Sequence, residues 1–368
     1  MCRDVSAAVS VGRGLLASGV LAIVPCNVAW APATGVATPV RQSAGIAVIV
    51  AHEMRDHAVL GVQVAAARGC RVLVDAAYGY ADSERTRPLR RADLLPVGSV
   101  TKSFTGALAH DLALRGRMAE GATLDAYLPV RAHAASITIA ELETQTSGLA
   151  EYNTAPSRER LLGESARPVV LDRDLLAFVD SAPLGPRGRW HYSNSNYLLL
   201  GRAVEAAAHR PLAKAYERLL RHLGLAPSAV RYGYDVHGAA SDGYEFDGYS
   251  YRSAPADPVA WASSAGAISA TARGLVDFDC ALFRERAATM RFAAGSGERS
   301  YRWGWFIQRS RRGDVVLYHD GVNGGFRAVN LYVPRLRLAV AAIANTSTFD
   351  SRRVGRAILA RLSSETPR

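Results

Sequence analysis

The sequence predicts an α+β fold: one antiparallel sheet built from both termini and flanked by helices, with a mostly helical lobe inserted between. Three observations lead there. Strand-like alternation is confined to residues 59–80 and 303–344. Each stretch is bordered by a segment with helical spacing, and the part from about 101 to 250 is helical and loop-rich. A chain of 368 residues is long enough to bury an ample core in one large two-lobed domain or in two ordinary ones.

Residues 43–57 (SAGIAVIVAHEMRDH) repeat apolar side chains at helical spacing and form the first helix. Val59 to Ala67 and Arg71 to Tyr80 alternate in part, are rich in Val and are broken by Arg68-Gly69, as in a hairpin. Pro96 and Gly98 precede Ser99, which opens a helix. Its apolar positions Val100, Phe104, Ala107, Leu108 and Leu112 share a face, and Gly116 ends it. Further helices are predicted at 138–145, 172–180, 196–209 and 211–223. Residues 262–286 read as one helix entered through Ser264, Gly266 and Thr271. Four strands follow, Trp303 to Gln308, Val315 to Tyr318, Phe326 to Val333 and Leu338 to Ala344, and 352–362 form a last helix. The predicted organisation is a signal peptide (1–31), a linker (32–42) and one domain (43–366). Within the domain an α/β lobe (43–98 and 258–366) encloses a helical lobe (99–257).

The signal-peptide reading rests on Arg3 and Arg13 before an apolar run, Gly14 to Val24, and on the small-residue site Ala29-Trp30-Ala31. The run is short for a membrane span. An exported protein, periplasmic or secreted, with no span in its mature form is expected. Pro25 before Cys26 does not suit a lipidation site. Cys2 and Cys26 leave with the signal, and Cys70 and Cys280 remain. An oxidising compartment permits one disulfide between them, but spacing does not fix it. Two buried, inert thiols are expected.

The formal net charge is +11, yet the arginines are spread along the chain. The densest group, Arg309, Arg311 and Arg312, falls in a predicted hairpin turn, and no basic stripe with interleaved aromatics marks a nucleic-acid binder. His52 and His57 are five residues apart on a helix and diverge by about 140°, so they do not share a metal from one face. Glycine-rich stretches lack a following Lys-Ser/Thr, so there is no P-loop. Neither metal nor cofactor is expected.

The chemistry gathers at three places. Arginine outnumbers lysine 42 to 2, yet Lys102 stands three residues after Ser99. On a helix that spacing puts hydroxyl and amine on one face. Lysine can lose its proton when desolvated and arginine cannot, so the pair suits a serine nucleophile activated without histidine. Second, Trp190-His191-Tyr192-Ser193-Asn194 leads a polar turn into an apolar helix, and Tyr192-x-Asn194 is the single Tyr-x-Asn among 15 tyrosines. A phenol near an ammonium can have its pKa lowered and relay protons. On the bland reading, Asn194 or Ser195 caps the helix while Tyr192 packs. Third, His319-Asp320-Gly321-Val322 follows a strand. Glycine there lets another backbone approach, so the Val322 N–H could join the Ser99 N–H as an oxyanion hole. Pocket-lining side chains are expected from 147–156 and from 232–257, the latter rich in tyrosine (Tyr232, Tyr234, Tyr244, Tyr249, Tyr251).

The ordered set Ser99-x-x-Lys102, Tyr192-x-Asn194 and His319-x-Gly321 resembles the serine β-lactamase-related family. That family includes class C β-lactamases, D-alanyl-D-alanine carboxypeptidases, D-aminopeptidases and some esterases. Accessory segments extend the resemblance over about 57–350: Ala77 to Asp82, Ile137-Thr138-Ile139, Thr146-Ser147-Gly148-Leu149, Leu199-Leu200-Gly201, Ala265-Gly266 with Ser269 and Thr271, and Trp303-Gly304-Trp305 as the strand before the third motif. The resemblance implies the β-lactamase/DD-peptidase fold and acyl transfer. Ser99 would attack, Lys102 or Tyr192 would take its proton, and Asn194, His319, Asp320 and Gly321 would meet a small-molecule or short-peptide substrate. His319 stands where β-lactamases usually carry Lys, which favours a peptidase, amidase or esterase. Asp320 stands where carboxypeptidases have Thr, and its charge would repel a substrate carboxylate. Gln145 replaces a common His and is read as structural. The rivals are a true β-lactamase or penicillin-binding carboxypeptidase, and a silent homologue that binds a wall fragment or a partner.

Overall fold

The computed structural model describes residues 41–129, 132–154, 172–233, 241–286, 290, 292, 300–310 and 313–364. The predicted signal peptide, Tyr234, Arg311 and Arg312 lie outside them. Helix α1 (Arg41–Asp56) leads into the hairpin β1 (Gly61–Arg68) and β2 (Arg71–Gly79). A two-residue strand β3 (Leu95–Pro96) and a tight 3₁₀ turn, Gly98–Val100, precede α2 (Thr101–Leu114). The helical part continues through α3 (Ala132–Ala135), α4 (Ile139–Glu143), α5 (Asp172–Ser181), α6 (Asn194–Ala208) and α7 (Leu212–His222). Short strands β4 (Val230–Tyr232), β5 (Tyr244–Phe246) and β6 (Tyr251–Ser253) come next, then α8 (Val259–Gly266), β7 (Ile268–Ala270) and α9 (Ala272–Arg286). The chain closes with β8 (Ser300–Arg302), β9 (Trp305–Arg309), β10 (Val315–Asn323), β11 (Phe326–Val333), β12 (Leu338–Ala344) and α10 (Ser351–Ser364).

Seven strands form the main sheet in the order β2-β1-β12-β11-β10-β9-β8, each antiparallel to its neighbours. Both ends of the chain therefore meet inside it, with Val62 opposite Ala344 and Arg68 opposite Leu338. Strand β12 reads LAVAAIA and is buried throughout because both faces of the sheet are covered. Val340, Ala342 and Ala344 join Ile46 and Val50 of α1 and Ile358 and Leu362 of α10. Ala339, Ala341 and Ile343 face the opposite core with Leu275, Phe278 and Leu282 of α9. There Phe278 stacks on Phe104 of α2 with ring centroids 3.7 Å apart, which ties α2, with Lys102 in its first turn, to the sheet layer.

Four expectations are corrected. Residues 262–286 are two helices around β7, because the Ile268–Ala270 backbone pairs with both β3 and β4. Thr271 then accepts the Gly274 N–H (2.9 Å) at the start of α9. Strand β10 runs on through His319 to Asn323, since those residues pair with Phe326 to Asn330 of β11. Trp303 and Gly304 are the β8–β9 turn rather than a strand: both have positive φ, and Gly304 lies against the Lys102 carbonyl. Cys280 is buried but Cys70, in the β1–β2 turn, is exposed.

Candidate active site

Two glycines press the third motif against the turn that carries Ser99. A methyl group on Gly321 would sit 1.8 Å from the Val97 oxygen and 3.2 Å from the Ser99 nitrogen. Gly98 has φ +52°, and a methyl there would meet the Val322 oxygen at 2.5 Å and nitrogen at 2.7 Å. The Ser99 and Val322 amides consequently lie side by side. A cavity of about 650 Å³ is lined by Ser99 and Val322 together with Tyr192, Asn194, His319 and Asp320, among others. Gly321 itself is not among the residues that line the cavity.

Lys102 is fully buried, and its Nζ has three neighbours: Ser99 Oγ at 2.8 Å, Asn194 Oδ1 at 2.6 Å and the Ala265 carbonyl at 2.8 Å. The last two can only accept. A neutral amine has two hydrogens, so it satisfies both and leaves its lone pair for the Ser99 proton. Burial lowers Lys102 from 10.5 to about 7, against the opposing pull of Glu151 and Asp320. The amine is thus within reach of its basic form near neutral pH.

Tyr192 hydrogen-bonds Ser99, but burial raises its pKa above the usual phenol value, and this outweighs the lowering by that bond. The expectation of a lowered phenol pKa is therefore wrong. With its pKa raised, the Tyr192 phenol keeps its proton near neutral pH. The helix cap is neither Asn194 nor Ser195. Ser193 accepts the Ser195 N–H (3.2 Å), which leaves Asn194 for Lys102. Gln145 is structural, as expected: its Oε1 accepts from the Ser193 N–H (2.9 Å) and from Asn196 Nδ2 (2.6 Å).

Glu151 was not singled out in the sequence, although it falls in the segment expected to line the pocket. Its Oε2 accepts from the Asn194 N–H (2.6 Å) and from Asn194 Nδ2 (3.1 Å), so the amide must turn its oxygen to Lys102. The Glu151 carboxylate also favours the lysine ammonium. Replacing it with Gln removes that charge, so the acid limb of the rate profile should move to lower pH. Initial rates from pH 5 to 9 on wild type and Glu151→Gln check this, and an unmoved or alkaline-shifted limb counts against it.

His319 is buried, with Nδ1 2.6 Å from the Asp320 carbonyl and Nε2 3.1 Å from the Tyr301 hydroxyl. The carbonyl can only accept, so Nδ1 carries the hydrogen and Nε2 accepts from Tyr301. Burial, helped by Lys102, pushes the imidazole down to about 3. His319 therefore brings no charge, and both of its ring nitrogens are taken by these two partners. Its ring nitrogen-15 signals should keep the neutral pattern, one protonated and one bare nitrogen, between pH 4.5 and 8, apart from small shifts as Lys102 titrates. Conversion to the imidazolium pattern in that range would contradict this environment.

Asp320 does not stand alone. Arg352, in the first turn of α10, places Nε 3.6 Å from its carboxylate and lines the same cavity. Among its described residues, the segment 232–257 contributes Glu245, Ala254, Pro255 and Asp257 to the lining and none of Tyr232, Tyr244, Tyr249 and Tyr251. Tyr244 and Tyr251 instead pack edge to face at the β5–β6 hairpin, and Tyr249 is exposed.

The Beta-lactamase family profile matches residues 46–364, nearly the whole described chain. The chain belongs to the beta-lactamase family. Among curated proteins it is 34% identical to Esterase EstB of Burkholderia gladioli over 180 residues, 45% of this chain and 46% of that one. It is 26% identical to a D-aminopeptidase of Cereibacter sphaeroides over 318 residues, 81% of this chain and 59% of the relative. These matches span only about half to three-fifths of the relatives' own lengths. Among solved structures, the octameric penicillin-binding protein homologue from Pyrococcus abyssi aligns with a TM-score of 0.75 at 20% identity, covering 88% of this chain and 78% of that one. The D-amino acid amidase from Ochrobactrum anthropi SV3 aligns with a TM-score of 0.71 at 20% identity, covering 88% and 100%. Both carry the β-lactamase/transpeptidase-like fold that the sequence predicted. The family is one of hydrolases with esterase and D-aminopeptidase members.

Proposed function

We propose that this protein is a serine hydrolase that cleaves a small ester, amide or D-amino-acid peptide through an acyl-enzyme. The observation that carries the reading is the Lys102 amine, 2.8 Å from Ser99 Oγ with its other two positions taken by fixed acceptors. Ser99 Oγ attacks the substrate carbonyl and passes its proton to Lys102. The oxyanion lies between the Ser99 and Val322 amides, where each donor is worth about 10²–10³ in rate. Tyr192 hands a proton to the departing alkoxide or amine and is restored from Lys102. Water then repeats the sequence on the acyl-enzyme. Neutral His319, in place of a charged lysine, supports the esterase or amidase branch.

A fluorescent fluorophosphonate and a fluorescent penicillin test this on wild type and Ser99→Ala. Wild type should take the first label and the variant neither. If wild type takes neither label, the enzyme reading falls. Strong penicillin labelling selects the rival β-lactamase or carboxypeptidase, for which Arg352 is the cation that could meet a carboxylate. Export belongs to the same proposal and is supported by the apolar run Gly14 to Val24. The intact mass of protein recovered from the cell envelope or medium should lack the first 31 residues.

A further inference from the structure

Cys70 and Cys280 are far apart in sequence and close in the fold. Across one row of the sheet, Ala67 of β1 pairs with Ala339 of β12, which pairs with Tyr332 of β11. Phe283 of α9 stacks on Tyr332, with ring centroids 4.2 Å apart and planes 7° from parallel. That contact holds α9 over the end of the sheet at which β1 turns into β2 through Gly69 and Cys70. Cys280 lies three residues before Phe283, hence on the same helix face, in the core shared with Ala67 and Ala339. Cys70, exposed in the turn, brings its thiol within hydrogen-bonding reach of the Cys280 thiol. Both are free thiols in this structure.

We propose that Cys70 and Cys280 form a redox site at which an external disulfide, small or protein-borne, installs an intramolecular cross-link. The solvent-facing Cys70 thiolate attacks one sulfur of the reagent, forming a mixed disulfide and expelling one thiol. Cys280 then loses its proton, attacks Cys70 Sγ and expels the second thiol. Two electrons and two protons pass to the reagent, which ends as two thiols, and the protein becomes two hydrogens lighter. Burial, followed by the neighbouring thiol, raises Cys280, so Cys70 is the entry point and Cys280 the resolving sulfur. The bond joins the first hairpin to α9 and encloses the chain segment that carries Ser99, Lys102 and Tyr192. Closing so long a loop acts chiefly on the unfolded chain. The site is separate from the cavity and is independent of the proposed hydrolase reading.

The full-length protein, reduced and then incubated natively with oxidised glutathione, is alkylated, digested without reductant and mapped by mass spectrometry. The expected product is one peptide pair joined through Cys70 and Cys280, absent from Cys70→Ser. The thermal midpoint of the oxidised wild type should fall by roughly 5–15 °C when reductant is added. Recovery of Cys70 as a glutathione adduct with Cys280 still alkylatable overturns the proposal, as does recovery of both thiols unmodified.

Discussion

Lys102→Arg is expected to lower turnover by about 10²–10⁴-fold, although the charge is conserved. Arginine does not give up its proton in a protein, so it offers Ser99 no lone pair. Its five donors would also exceed what Asn194 Oδ1 and the Ala265 carbonyl accept in that buried space. Lys102→Met, which keeps the apolar stem, should lose turnover similarly while folding more easily. Ester hydrolysis and the rate of fluorophosphonate labelling measure both variants, with thermal unfolding as the check on folding. In wild type the neutral amine is the working form, so kcat/KM should rise with pH through about 7 and level off above it. Near-normal labelling of well-folded Lys102→Met would remove Lys102 from the proton path.

Gly321→Ala is expected to cost about 10²–10³ in kcat, the loss typical of one misplaced oxyanion donor. The added methyl would lie 1.8 Å from the Val97 oxygen, so β10 and the nucleophile turn must part. Neither backbone can yield easily: Val97 donates its N–H to Ile268 of β7 (3.0 Å), and β10 is locked in register with β11. The separation falls between the two amides meant to share the oxyanion. Overpacking should also lower stability by about 1–3 kcal/mol. Steady-state kinetics beside thermal unfolding separates the two effects. A variant with wild-type kcat would show that the Val322 N–H takes no part.

What the sequence made legible follows from where the information resides. Strand β12 was bounded correctly because LAVAAIA has a continuous apolar pattern with clear turn residues on either side. Strand β10 runs past the predicted end at Tyr318 because its continuation, with Gly321 and Asn323, is held extended by pairing with β11. The glycine is demanded by the backbone lying across it. The α8–β7–α9 segment was misread because Ile268 to Ala270 is extended only by virtue of two strands remote in sequence. At the site, Ser99, Lys102, Tyr192 and Asn194 announced themselves through spacing. The Ala265 carbonyl could not, since every residue has one, and Glu151 and Arg352 act through distances that no local pattern encodes. The direction of the Tyr192 shift was misjudged for a similar reason: burial outweighs the nearby amine, and burial is a property of the finished fold.

The pairing of β1 with β12 has a consequence for how the molecule is made. During synthesis the β1–β2 hairpin emerges early and waits with one long edge unsatisfied until almost the entire chain has followed. Strand β10, which carries the proposed second oxyanion donor, arrives at nearly the same late moment. Contacts so distant in sequence slow folding and leave partly formed intermediates exposed. Ribosome-stalled chains ending before Val315 should therefore hold Ser99 and Lys102 without the strand that brings Val322 beside them, and they should not react with a fluorophosphonate.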